Sequence, residues 1–225
     1  VAGAKVLTVN GAGSTSLTGI ISDGGATSVA ITKAEAGTLT LSGANTYIGG
    51  TTLTLGTLNL NSAGALGAAA GTFVYTAGTL GNTSGANVDL GIAKAITWNN
   101  ATAVYTSANN LDLGTGAVAL GGDGSIDVTN AASTLEIGGI TSGAVTLTKL
   151  GAGALTLSGA NTYSVGSVLS VGTVNINAAR ALGTGTIHID DGTTIDNTTA
   201  GAVILTSAGA QTWDGNFTFK GTQNL

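Results

Sequence analysis

The chain has no cysteine, no proline and no methionine among its 225 residues. Without cysteine there is no disulfide, no thiolate metal site and no thiol nucleophile; the compartment stays open, because a large exported fold can do without disulfides. Charge is scarce as well. Only 8% of residues are Asp, Glu, Lys or Arg, against about 25% in an ordinary globular domain. The six basic residues are scattered at Lys5, Lys33, Lys94, Lys149, Arg180 and Lys220, and the net charge is −5. That balance argues against a nucleic-acid partner, whose binders carry basic patches. There is one histidine. No uninterrupted apolar run reaches the roughly 18 residues of a membrane span, so no insertion into a membrane by this segment is expected. No initiating Met, basic n-region or cleavage site opens the chain, which is expected to be a piece of a longer, processed protein.

Two things are abundant. Apolar residues make up 43% and glycines number 38. The apolar share is too high for a disordered chain, which would lack the material for a core. The glycines mark frequent bends.

The apolar residues are arranged in short period-two strings. Examples are LTL at Leu39–Leu41, LNL at Leu58–Leu60, TLEI at Thr134–Ile137, VNIN at Val174–Asn177 and IHID at Ile187–Asp190. Such alternation predicts strands with one buried face. Gly, Ala, Ser and Asn separate the strings every ten residues or so, and no sustained helical period is present.

The chain also repeats itself. GTLTLSGANTY at Gly37–Tyr47 returns as GALTLSGANTY at Gly153–Tyr163, 116 residues later (153 − 37). Upstream, AITK ending at Lys33 answers TLTK ending at Lys149. Downstream, GTLNLNSAGALG (Gly56–Gly67) answers GTVNINAARALG (Gly172–Gly183), and Trp98 answers Trp213. Many short strands in a chain of long repeats favour a solenoid over a sandwich. A parallel β-helix with coils of about 20–25 residues would hold roughly nine or ten coils and be about 45 Å long, with uncapped ends. Residues 1–225 then form a single segment of about two 115-residue units, with repeat blocks at 37–67 and 153–183. Leu39 and Leu41 are expected inside and Thr40 outside. Ser42-Gly43-Ala44-Asn45 is expected to turn the corner through positive φ, with Tyr47 packed near the next corner. Outward Thr and Asn are expected to stack as ladders between coils.

Read together, the blocks GTLTLSGANTYIGGTTLTLGTLNLNSAGALG and GALTLSGANTYSVGSVLSVGTVNINAARALG resemble the passenger-associated transport repeat, also called the autotransporter-associated β-strand repeat. The second block departs at SVGS, where Gly-Gly-Thr is the pattern, so that corner is expected to differ. The resemblance implies a right-handed parallel β-helix in the passenger of a Gram-negative autotransporter or giant surface protein. It implies a non-enzymatic extracellular segment, a stiff stalk or filament body that supports secretion, folding and adhesion. Expected partners are further repeats of the same chain or end-to-end copies, and a host-cell or glycan surface along the flank.

Chemistry-bearing residues are few. His188 and Asp190 alternate with Ile187 and Ile189 and should share an outer face, about 7 Å apart along the strand. A carbohydrate-active β-helix could use such groups and is the alternative reading. GGDGSIDVT at Gly121–Thr129 is a single, faint echo of a calcium repeat, and calcium solenoids need stacked copies. Thr-x-Thr pairs (Thr38/Thr40, Thr52/Thr54, Thr146/Thr148) do not recur once per coil, as an ice-binding array requires. Trp98 and Trp213 occupy equivalent positions and suggest corner packing or, if exposed, sugar stacking. GAGSTS lacks the Lys of a phosphate loop. No catalytic residue, cofactor or metal is expected.

Overall fold

A computed structural model describes residues 3–99, 102–140, 143–206 and 209–225. Among them there is no helix, and 23 short strands make three sheets in which every pairing is parallel. The first sheet stacks β1 (Lys5–Val9), β3 (Val29–Lys33), β5 (Thr51–Leu53), β7 (Phe73–Tyr75), β10 (Ile96–Trp98) and β13 (Val118–Leu120). The second stacks β2 (Ser14–Leu17), β4 (Thr38–Leu41), β6 (Thr57–Leu60), β8 (Thr79–Gly81), β11 (Thr102–Tyr105), β14 (Gly124–Val128), β16 (Thr146–Leu150), β18 (Gly166–Leu169), β20 (Thr186–Ile189) and β22 (Gln211–Trp213). The third stacks β9 (Val88–Asp89), β12 (Leu111–Asp112), β15 (Thr134–Ile137), β17 (Ala154–Leu157), β19 (Thr173–Ile176), β21 (Thr194–Asp196) and β23 (Thr218–Phe219).

The fold is therefore a β-solenoid of about ten coils. At about 4.8 Å per coil, the ten strands of the second sheet span about 43 Å. Neighbours in one sheet are offset by 19 residues at Thr38↔Thr57 and by 25 at Thr79↔Val104, so coil length varies. Parallel pairing follows from this geometry: each strand meets the strand one full circuit later, and no hairpin is available.

Alternation sets the core. Leu39, Leu41, Leu58, Leu60, Leu155, Leu157, Val174 and Ile176 are all buried, while Thr40 points outward. Full burial of each such side chain contributes roughly 1.5–3 kcal/mol. The string LTL at Leu53–Leu55 breaks the pattern: Leu53 is inside, but Leu55 lies beyond the end of β5 and is exposed. Outward positions form the expected polar ladders. Asn59 Nδ2 donates to Thr40 Oγ1 at 3.1 Å, and Asn175 Nδ2 to Thr156 Oγ1 at 2.9 Å.

The two repeat blocks do not occupy the same face. β3 and β4 lie in the first and second sheets, whereas their counterparts β16 and β17 lie in the second and third. Stepping coil by coil through the pairings, the 116-residue shift amounts to five coils and one further face. The unit thus turns by a third of a circuit, because its length is not a whole number of coils.

Candidate functional site

The repeated sentence builds a corner, and the corner holds a recurring set of buried polar side chains. Asn45 and Asn161 are buried. The Asn45 amide accepts from Ile21 N–H on the preceding coil at 2.9 Å and donates to Ala65 O on the following coil at 2.9 Å. Asn161 does the same, accepting from Ile140 N–H at 2.7 Å and donating to Ala181 O. An amide is the one side chain of this size with a donor and an acceptor side by side. Each Asn therefore pins three successive coils. The tyrosine of the motif closes the same corner. Tyr47 OH shares a hydrogen bond with Thr51 Oγ1 at 2.6 Å, and Tyr163 OH one with Ser167 Oγ at 2.7 Å. Burial raises the Tyr47 phenol to about 12, and raises Tyr163 further.

Ala-Leu-Gly at the block's end now has a reason. Gly67 and Gly183 have φ of 75° and 71°, and each lies against the ring of Tyr47 or Tyr163 one coil earlier. A β-carbon at Gly67 would stand 2.5 Å from Tyr47 O and 2.9 Å from its ring. Gly43 corrects the expectation of positive φ at Ser42–Asn45: neither Gly43 nor Asn45 is in that region. Gly43 is needed for closeness instead, since a β-carbon there would meet Gly19 O at 2.2 Å. At SVGS the corner does differ, because Gly50 has φ of 86° while its counterpart Gly166 does not adopt positive φ.

The lysine closing AITK and TLTK is buried, which sequence reasoning missed. Lys33 Nζ donates to Ala34 O and Glu35 O, both at 2.6 Å; Lys149 Nζ donates to Leu150 O at 2.6 Å and Gly151 O at 2.7 Å. Each ammonium gathers carbonyls of the turn that joins two strands. Lys94 holds Ala68 O and Gly71 O in a similar way. Desolvation lowers Lys94 and Lys149 to about 8, and lowers Lys33 as well. The only sequence signal was the recurrence of Lys at one position of both units.

The other candidates separate. Asp123 receives Thr146 N–H at 2.7 Å and serves as a turn cap. The threonine pairs lie on β4, on β16 and at the end of β5, with Thr54 just beyond that strand; these are in two different sheets, so the pairs do not line up as one array. Trp98 ends β10 and packs inside the core against Tyr75, with ring centroids 5.0 Å apart, rather than at a corner. Its counterpart Trp213 is 63% exposed, because it sits in the last coil with Phe217 and Phe219 beside an apolar pocket. GAGSTS runs into strand β2. His188 and Asp190 do share an outer face, and Asp214 joins them. His188 Nε2 stands 3.0 Å from Asp190 Oδ1 and 2.8 Å from Asp214 Oδ2.

One groove of about 370 Å³ runs along the outside of the third sheet past Asp89, Asp112 and Glu136. These stack in register on three successive coils. Burial, and then the neighbouring carboxylates, raise the Asp112 carboxyl above its usual range, opposed by its hydrogen bond from Gly114 N–H.

A solenoid whose repeated residues stitch coil to coil is a structural repeat protein. Residues 31–60 and 147–176 match the passenger-associated-transport-repeat, so the chain carries two copies of it. The matches begin at the AITK and TLTK strands and end before the Ala-Leu-Gly corner. Among curated proteins, the Adhesin BmaC autotransporter of Brucella suis biovar 1 (strain 1330) is 33% identical over 196 residues. That alignment covers 84% of this chain and 5% of the relative, so the chain spans about a twentieth of that protein's length. No solved structure matches.

Proposed function

We propose that residues 1–225 form one structural and display segment of an autotransporter-type surface passenger. It acts as a stiff extracellular body that supports secretion, folding and adhesion at a Gram-negative cell surface. The observation that carries this reading is the pairing of a continuous parallel ladder with two passenger-associated transport repeats whose polar residues bind neighbouring coils together. Each new coil finds a preformed sheet edge, so coils can add one at a time as the chain emerges. The relative's printed name supports an adhesive setting. Its partners on this reading are further repeats of the same chain or end-to-end copies, because a parallel ladder pairs each coil with the next. A host-cell or glycan surface would dock along the flank.

The test is surface display of the full passenger, read by protease accessibility on whole cells. Leu157→Asp sets a charge in the core of β17 and should stall display, whereas Thr54→Asp, on the exposed rim, should not. Equal display of both variants would overturn the reading.

A further inference from the structure

We propose that His188, Asp190 and Asp214 form a binding site for a divalent transition-metal ion of the zinc type. The three come from two adjacent coils of the second sheet. His188 lies in β20, and Asp190 follows that strand on the same outer face. The register His188↔Thr212 and Ile189↔Trp213 carries on to set Asp214 beside Asp190. Nε2 is 3.0 Å from Asp190 Oδ1 and 2.8 Å from Asp214 Oδ2, and the three ligand atoms lie within 4.8 Å of one another.

Those separations are ordinary ion-pair distances, and they fall within about half an ångström of the spacing a small ion requires. Zinc bonds to imidazole nitrogen and carboxylate oxygen are about 2.0–2.2 Å long. Two ligands at right angles around it then stand about 3.0 Å apart, and two at the tetrahedral angle about 3.4 Å apart. The far side of the ring is prepared too. Nδ1 lies 2.7 Å from Thr212 Oγ1. When the hydroxyl accepts Nδ1–H, the lone pair is left on Nε2, facing the carboxylates. A fixed outer partner of this kind is what orients a metal-bound histidine. Two carboxylates one coil apart also repel, and a metal cation between them relieves that. The imidazole and the small number of oxygens select a zinc-like ion over calcium, which takes six to eight oxygens. All three residues are partly or fully exposed, so the remaining coordination positions open to water.

The first unit supplies an internal comparison. The pairings Thr52↔Val74 and Val168↔His188 place Val74 where the second unit has His188. Thr76 then answers Asp190. Trp98 pairs with Tyr75 as Trp213 pairs with Ile189, so Asn99 answers Asp214 and Thr97 answers Thr212. The supporting threonine is common to both units, while all three ligand positions change together from groups that do not ionise to groups that ligate. Stability of the coil does not require that change, because the first unit folds the same strands without it. The inference departs from the expectation of no metal drawn from the sequence, and it is independent of the display function.

The test uses the untagged chain. Its single histidine gives one imidazole Hε1 resonance by proton NMR, which should shift on titration with zinc and saturate at one equivalent. Cobalt in its place should give a visible d–d absorption band. His188→Val and Asp214→Asn, which install the first unit's residues, should each weaken zinc binding by tenfold or more, with an unchanged far-UV circular dichroism spectrum. An unmoved resonance at millimolar zinc, or zinc binding that both variants retain, would overturn the proposal. So would a calcium affinity equal to that for zinc.

Discussion

Replacing Asn161 by Ala isolates the stitch between coils. In the native chain its amide accepts Ile140 N–H at 2.7 Å and donates to Ala181 O, with the side chain fully buried. Alanine removes both partners at once. Ile140 N–H is then left unpaired in a dry site, which costs about 1–3 kcal/mol. Ala181 O keeps Tyr163 OH at 3.3 Å, so its loss is nearer the net value of one hydrogen bond, about 1 kcal/mol. The expected total is about 2–4 kcal/mol. Asn177 is the control. Its amide bonds to Thr198 Oγ1 at 2.9 Å and accepts Thr198 N–H at 3.0 Å, but at the exposed surface. Water can replace those partners, and Asn177→Ala should cost less than about 1 kcal/mol. Urea unfolding followed by circular dichroism measures both variants. Hydrogen exchange adds a local readout, since only Asn161→Ala should strip protection from the Ile140 amide. Equal urea midpoints for the two variants, with Ile140 still protected, would refute the stitch.

Other outcomes follow from the same corners. Gly183→Ala forces a left-handed backbone on a residue with a β-carbon, about 1–2 kcal/mol. It also drives that carbon to 2.6 Å from the Tyr163 ring, a further 1–3 kcal/mol or so; the urea midpoint should fall well below that of Ala63→Ser in an exposed loop. Stability should also depend on pH with a definite sign. Lys94 and Lys149 titrate near 8 when folded and near 10.4 when unfolded. Between those values the unfolded chain holds more protons, so stability rises with pH and is lost as pH falls through about 8. Lys149→Met should flatten that slope. Above pH 10 the sign reverses, because all four tyrosines are raised by burial and ionise only in the unfolded chain. Absorbance at 295 nm should accordingly show no phenolate in the folded protein at pH 10.5; a normal titration there would contradict the burial of the motif tyrosines.

Strand positions were legible because alternation is a local signal. Leu39, Leu41, Leu155 and Leu157 point inward as their spacing requires. Tyr47 was legible as a packed residue but not as a hydrogen-bonding one. What the sequence hides is the offset between coils. That offset ranges from 19 to 25 residues, and no local pattern announces it. Asp214 was missed as a neighbour of His188 for that reason: it lies 26 residues on (214 − 188) and meets His188 only through the register. Lys33 and Lys149 were hidden differently. Lysine is ordinarily a surface residue, and only the converging carbonyls of two turns make its burial tolerable. Gly43 shows the same blindness, since its neighbour Gly19 O belongs to the coil before.

The turn of a third of a circuit between units joins these observations. Stitching residues need the coil above and the coil below, and they need nothing from a particular face. The corner of Asn45 and Tyr47 can therefore be rebuilt as the corner of Asn161 and Tyr163 after five coils and one face, with the hydrogen bonds of the Asn and Tyr side chains in place. Outward positions obey no such rule. Val74 and Thr76 face solvent from the first sheet, while His188 and Asp190 face it from the second. The core of the solenoid can then repeat while its surface changes from unit to unit and from flank to flank. A group that binds an ion or a partner can arise on one unit without disturbing the ladder, because the residues that hold the coils together are elsewhere.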